Sequence, residues 1–313
     1  MCINKCLVVG FTAPGILWKS FSRGTIGALL LLTFAFAETA DDPALHTYQA
    51  HFTSQFADAY YLFRYDMASW VAADSVSARL AQNPALKDSL GAEWFCFQDG
   101  PFFHAVYGKY YPGADVYTIV CHFAINEQIQ FAPAPPIDTM KMTAYARSLH
   151  NSFPVVKYFL RKHRLRLDRH ILGDSTGITV WHTPAQMSND AFLYGGDFRY
   201  HYDATGAHLL DSAWNHTDFY AVRPGRKTKA VELKSEAFDY PTVGDLLSAL
   251  NILKMYKKGK LQVVIKCKAF QTKISRDAKG GYSFSHEKRQ SQRTNTGFIR
   301  AVPLTVPPSP RTQ

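Results

Sequence analysis

The sequence lacks an apolar run long enough to span a bilayer as a helix. Its longest, Thr25 to Phe36, holds about 12 residues, against the roughly 20 a crossing needs. Cysteine is also scarce. Of the five, Cys2 and Cys6 lie near the N-terminus, leaving Cys96, Cys121 and Cys267 for all the rest of the chain. Three thiols make no disulfide framework, and spacing alone pairs none of them. One bridge plus a free thiol, or three buried small hydrophobes, fit equally. No C-x-x-C, H-x-x-x-H or H-E-x-x-H occurs, so no local pattern fixes metal ligands on one face. No long internal repeat is present. The chain is not short of apolar residues, at 47% against 19% charged, so it can bury a core.

Acidic residues are missing from both ends. Lys5, Lys19 and Arg23 precede the Thr25–Phe36 run, and no Asp or Glu appears before Glu38. Ala35-Phe36-Ala37 then offers small residues at the −3 and −1 positions of a cleavage site. A positive segment, a short apolar run and small residues make a secretory leader. Residues 1–37 are therefore expected to be a signal peptide cleaved near Ala37, with export to the periplasm or the exterior. An uncleaved leader acting as a membrane anchor is the alternative. The 18 residues before Lys19 are long for such a leader, and Pro14-Gly15 interrupts their apolar stretch. At the other end, residues 254–313 hold fourteen Lys or Arg against Asp277 and Glu287, a surplus of twelve in a chain whose net charge is +10. The basicity thus belongs to the C-terminal end. It suits an anionic surface, membrane headgroups or a cell-wall polymer, as partner of residues 254–313.

The pattern of elements predicts an α+β fold. The N-terminal half is expected to be mostly helical, and the C-terminal half to be a largely antiparallel sheet carrying one main helix. Phe52, Phe56, Tyr60 and Phe63 recur three or four apart, predicting a helix over 46–72. A second is predicted over 76–92, broken near Asn83-Pro84. Pro112-Gly113 joins two β-like runs, Phe102–Tyr111 and Val116–Phe123. Ala132-Pro-Ala-Pro-Pro136 is a stiff connector and the best internal boundary. Helices over 137–150 and 154–163 follow. Strand texture begins at Ile171, with hairpins about Asp203–Gly206 and Asp277–Gly281. Pro241-Thr242 opens a helix to 255, with Thr242 placed to cap it and Asp245 at its third position. The resulting division is 1–37 leader, 38–136 N-terminal α/β region, 137–286 helix-plus-sheet region and 287–313 basic, Pro-rich tail.

Chemistry-bearing residues are scattered. Gly173-Asp-Ser175-Thr-Gly177 matches the G-x-S-x-G of a nucleophile elbow, which requires a strand before the serine and a helix after it. Here a β-like run follows, and a turn between strands accounts for both glycines. Cys121-His122, His201, His208 and His216 are the most suggestive of a metal, with His201 and His208 on opposite arms of one predicted hairpin. Asn215-His-Thr217 is a glycosylation sequon. Tyr256, Phe270, Tyr282, Phe284 and Phe298 accompany the basic end as they would on a nucleic-acid platform. An exported protein seldom meets nucleic acid, however, and strand cores need those rings, so nucleic acid is not an expected partner.

One resemblance covers about a quarter of the chain. Gly195-Gly-Asp-Phe-Arg, the Asp203–Gly206 turn, His216 and Asp239-Tyr-Pro-Thr-Val-Gly-Asp245-Leu-Leu resemble an uncharacterised family of exported bacterial proteins. Its corresponding region is similar to the metal motif of JAB/MPN-type isopeptidases. In those enzymes a His-x-His pair and a Ser-x-x-Asp hold zinc, and an upstream Glu moves protons. Thr242-x-x-Asp245 fits the second of these, but the His-x-His positions fall on Glu232 and Lys234. A lysine ammonium has no lone pair for a metal, and catalytic zinc needs three protein ligands and an open position. The resemblance therefore implies a metal-free, inactive member with no cofactor. The expected function is a non-enzymatic binding or structural role. The alternative is a hydrolase, serine-based at Ser175 or metal-based around His201, His208, His216 and Asp245, with Glu232 and Asp245 as its further catalytic candidates.

Overall fold

The computed structural model describes residues 42–163, 166–185, 191–216, 218–225, 228–256, 261–289, 299–300 and 302–303. The expected leader lies outside them, as do most of residues 290–313. Among the described residues no helix is long and apolar enough to cross a membrane. The protein is a mixed α+β structure, with strands in both halves of the chain.

Helix α1 (Pro43–Gln82) is one continuous element. The break expected between 72 and 76 does not occur, because Ala-Ala-Asp-Ser contains neither Pro nor Gly to interrupt the ladder. The helix stops at Asn83-Pro84, where a 3-10 turn (Pro84–Ser89) takes over. Its buried stripe serves two cores. Tyr48, Phe52, Phe56 and Leu62 pack into one, Tyr65, Ala68, Ala72 and Val76 into the other. A fully buried Phe or Leu contributes roughly 2–3 kcal/mol of transfer free energy, so α1 stitches both cores together along its length.

The first core lies against an antiparallel sheet of β1 (Phe95–Asp99), β2 (Phe102–Tyr111), β3 (Val116–Ile125) and β4 (Phe131–Ala132), in that order. The β2–β3 hairpin pairs Tyr111 with Val116 around Pro112-Gly113, as the turn dipeptide predicts. The Ala132–Pro136 connector leads from β4 into helix α2 (Thr139–His163). It is not a boundary between separate bodies, since residues 43–313 form one unit. Helix α2 runs through Pro154 where a break was expected. Met142, Leu149 and Val156, all buried on one face, hold its two halves to the same core.

Strands β5 (Leu167–Gly173), β6 (Ile178–Pro184), β8 (Phe198–Tyr202) and β9 (Leu209–Trp214) form a second antiparallel sheet in the order 5-6-8-9. Between them β7 (Phe192–Gly195) leaves to pair with β10 (Phe219–Val222). The second core is capped by β11 (Ala230–Lys234), α3 (Val243–Met255), β12 (Gln262–Lys266), β13 (Phe270–Arg276) and β14 (Tyr282–Lys288). β11 and β12 are parallel with α3 as their crossover, and the remaining pairs of this run are antiparallel. Beyond Lys288, where a loose tail was expected, β15 (Ile299–Arg300) pairs with β11 and β16 (Val302–Pro303) with β10. The three thiols Cys96, Cys121 and Cys267 are free and buried.

Candidate functional site

The β11–α3–β12 crossover places the residues of the resemblance. Thr242 has extended backbone and caps α3. Its hydroxyl accepts from Asp245 N at 3.1 Å, and Asp245 Oδ2 accepts from Thr242 N at 3.0 Å. This reciprocal box satisfies two amides that the helix start leaves free. Ser235, just past β11, donates to the same Oδ2 at 2.6 Å. Asp245 has no exposed surface. Its other oxygen, Oδ1, faces His216 Nε2 at 3.2 Å, and His216 Nε2 lies 4.0 Å from Asp197 Oδ1. None of these three atoms makes an aligned hydrogen bond. The contact is close enough for an ion pair but misdirected for a linear bond, so the attraction is between charges.

Asp197 reaches this point through two glycines. Gly195 (φ 82°) and Gly196 (φ 58°) hold left-handed backbone, and a Cβ on Gly196 would enter the Phe219 ring at 2.1 Å. The close turn swings Asp197 beneath the start of α3, where its Oδ2 accepts from Asn215 Nδ2 at 3.0 Å. The helix can approach because position 244 is glycine. A Cβ there would stand 2.6 Å from the Asp197 carboxyl carbon.

The electrostatics follow from burial and charge. Burial alone would push the His216 imidazolium down, but Asp245, then Asp197 and Asp218, reverse this and raise it to about 9. Burial would raise Asp245. His216, Ser235 and the Thr242 amide outweigh it and hold that carboxyl below its ordinary value. Asp197 is raised, by burial first and by Asp245, with His216 opposing. At neutral pH the centre is an imidazolium facing the carboxylate of Asp245, with Asp197 beside it.

The two positions that would be His-x-His hold a different chemistry. Glu232, buried, pairs with Lys266 Nζ at 2.7 Å. Lys234 donates its backbone N–H to Tyr194 Oη at 3.0 Å, and its side chain brings a cation where a ligand is required. Among the described residues no group of three His, Cys, Asp or Glu side chains is arranged to hold a metal ion. The donor set at Asp245 does not fit catalytic zinc.

The other expected residues stand apart. His201 pairs with Asp211 across β8–β9, and its Nδ1 meets Thr179 Oγ1 at 2.9 Å. His208 lies in the turn before β9, where its backbone N–H donates to Asp203 at 3.3 Å. The three-histidine grouping is therefore corrected by the fold: two belong to the hairpin end and one to the α3 cap. Ser175 is exposed in the turn between β5 and β6. Asp174 Oδ1 accepts from Thr176 N at 2.7 Å and Thr176 Oγ1 at 2.6 Å, an Asx turn that explains the local sequence. A strand follows Ser175, so the elbow reading fails on geometry.

Asp197 is the site residue that sequence reasoning passed over, although Gly195-Gly196 before it marks a constrained turn. A second buried cluster was also missed. His170 Nε2 meets Asp66 Oδ1 at 2.7 Å, and Asp168 nearby is raised to about 6 by burial and by Asp66. These residues are a hundred positions apart, and no spacing reports their meeting. No family model, no curated protein and no solved structure matches the chain.

Proposed function

We propose that this is an exported, non-enzymatic binding or structural protein whose basic C-terminal region rests on an anionic surface. The observation that carries the non-enzymatic reading is the commitment of Asp245. It is fully buried, its Oδ2 is taken by Ser235 and Thr242, and its Oδ1 is set against His216. In this reading the JAB/MPN-like resemblance marks a scaffold in which an ion-paired helix cap stands where isopeptidases hold zinc. The cap fixes the β11–α3–β12 crossover and leaves no open coordination position.

The surface reading rests on the charge surplus of residues 254–313. Some of that charge is neutralised internally. Lys266, Lys268, Lys273 and Arg289 pair with Glu232, Asp239, Glu287 and Glu236. The test is sedimentation with vesicles of phosphatidylserine against vesicles of phosphatidylcholine, at about 0.05 M and about 0.5 M salt. Binding to the anionic vesicles alone, lost at high salt and on removing residues 290–313, is the expected result. Equal binding to both vesicles, or none, would overturn the surface reading.

A further inference from the structure

We infer that β9 is a self-pairing edge strand, and that two copies of the chain join there, antiparallel, about a two-fold axis at Ser212. This edge lies apart from residues 254–313, so its pairing and the surface reading stand or fall separately.

β9 ends the sheet of order 5-6-8-9, and among the described residues it pairs with β8 alone. Edge strands are commonly blunted by Lys, Pro or a charge that repels a neighbour. β9 reads Leu-Leu-Asp-Ser-Ala-Trp, with no Lys or Pro, and its one charge, Asp211, is paired with Arg199 of β8. Its large apolar side chains stand open: Leu209 is 51% exposed, Leu210 58% and Trp214 44%. The Trp214 ring is edge-on to the buried Phe198 ring, centroids 5.7 Å apart, so apolar surface continues from the core to the rim of the sheet.

The hydrogen-bond phase of this edge is fixed. Asn215 N–H donates to the Asp197 carbonyl at 3.0 Å, which makes Asp197 and Asn215 a hydrogen-bonded pair continuing the β8–β9 ladder. Such pairs alternate in antiparallel sheet. Arg199–Ala213 and His201–Asp211 are therefore bonded pairs, and Phe198–Trp214 and Tyr200–Ser212 are not. The backbone N–H and C=O of Ser212 point out from the free edge, while those of Asp211 and Ala213 point in toward β8. Among the described residues the Ser212 backbone groups have no partner.

Phase and charge together select one register with a second copy. An axis between two residues would set outward-pointing backbone against inward-pointing backbone. An axis at Asp211 would place that carboxylate directly opposite its own copy, where like charges repel. An axis at Ala213 would carry Leu210 past the end of the partner strand. An axis at Ser212 makes Ser212 and its copy a hydrogen-bonded pair, sets Asp211 opposite Ala213, and sets Leu210 opposite Trp214 twice. The strand is its own complement in this register, which is why the occupant is a second copy. The join makes one eight-stranded sheet and uses both β9 edges, so it closes at two copies.

One strand pair is a small contact beside the roughly 1,200 Å² of a standard interface, so the dimer is expected to be half-formed on the order of 10–100 μM. Sedimentation equilibrium of the full-length protein from about 1 to about 500 μM, a range that brackets such a contact, should show monomer and dimer and nothing larger. Leu210→Lys puts a cation on the edge and should weaken the dimer by about tenfold or more. Leu210 is exposed, so folding is not at stake. Ser212→Cys reads the register directly. The exposed Ser212 positions stand about 5.5 Å apart, Cα to Cα, in the bonded pair, within reach of a short bismaleimide. Cys96, Cys121 and Cys267 are buried, so the new thiol should crosslink to its own copy, and should fail to do so when Leu210→Lys is added. Wild type that stays monomeric at the highest concentration, a Leu210→Lys dimer as tight as wild type, or a Ser212→Cys protein that does not crosslink would overturn the proposal.

Discussion

The charge on His216 should be visible in the stability of the whole chain. The imidazole lies 3.2 Å from Asp245 Oδ1 and 4.0 Å from Asp197 Oδ1, with a nearly buried ring. In the unfolded chain it releases its proton near 6.5, and in the folded chain near 9. Folding therefore tightens the proton by about two and a half decades, at about 1.4 kcal/mol per decade, or about 3.5 kcal/mol. The sign is that of a raised cationic group. The contribution is fully present below pH 6.5, declines between 6.5 and 9, and is gone above. Asp245 works in the other direction: its lowered carboxyl contributes above the ordinary aspartate value and is lost as acid protonates it. Urea denaturation of wild type and His216→Gln at pH 6, 7.5, 9 and 10 isolates the histidine. The stability difference between the two proteins should shrink by about 3.5 kcal/mol from pH 6 to pH 10. A difference that stays constant across that range would refute the charged centre.

Two further substitutions probe the same cap. Asp245→Ala removes a capping box and leaves His216 without its nearest counter-charge, so it should cost on the order of 3 kcal/mol or more in the same assay. A loss below about 1 kcal/mol would mean the network carries little. Gly244→Ala puts a methyl against the Asp197 carboxyl and should cost about 1–3 kcal/mol. It should also shift the His216 imidazole resonance in a pH titration by NMR. An unshifted titration would show that Asp197 does not act on the ring.

What the sequence disclosed was local. Turn dipeptides such as Pro112-Gly113 and the Asp277–Gly281 loop specify their hairpins by backbone chemistry within a few residues, and the strands fall where those turns require. Helix α3 was equally plain, because Thr242 and Asp245 announce its start and Leu246, Leu247, Leu250 and Leu253 its buried face. Long-range features were not legible. That α1 is one rod follows from its bridging two cores, which 46–72 and 76–92 read separately do not reveal. The pairing of Ile299–Arg300 with β11 and of Val302–Pro303 with β10 depends on strand edges formed far upstream. At the site, the T-x-x-D letters were visible, yet their role depends on His216 and Asp197, which arrive from other segments. Only the fold sets three distant charges together and separates His201 and His208 from them.

In the proposed reading Asp245 is an internal anchor and not a metal ligand. Metal content by atomic absorption, after zinc loading and exhaustive dialysis of wild type and Asp245→Asn, puts this to the test. The two proteins should retain the same amount of zinc, well below one equivalent. One equivalent held by wild type and released in the variant would contradict the account and restore the hydrolase.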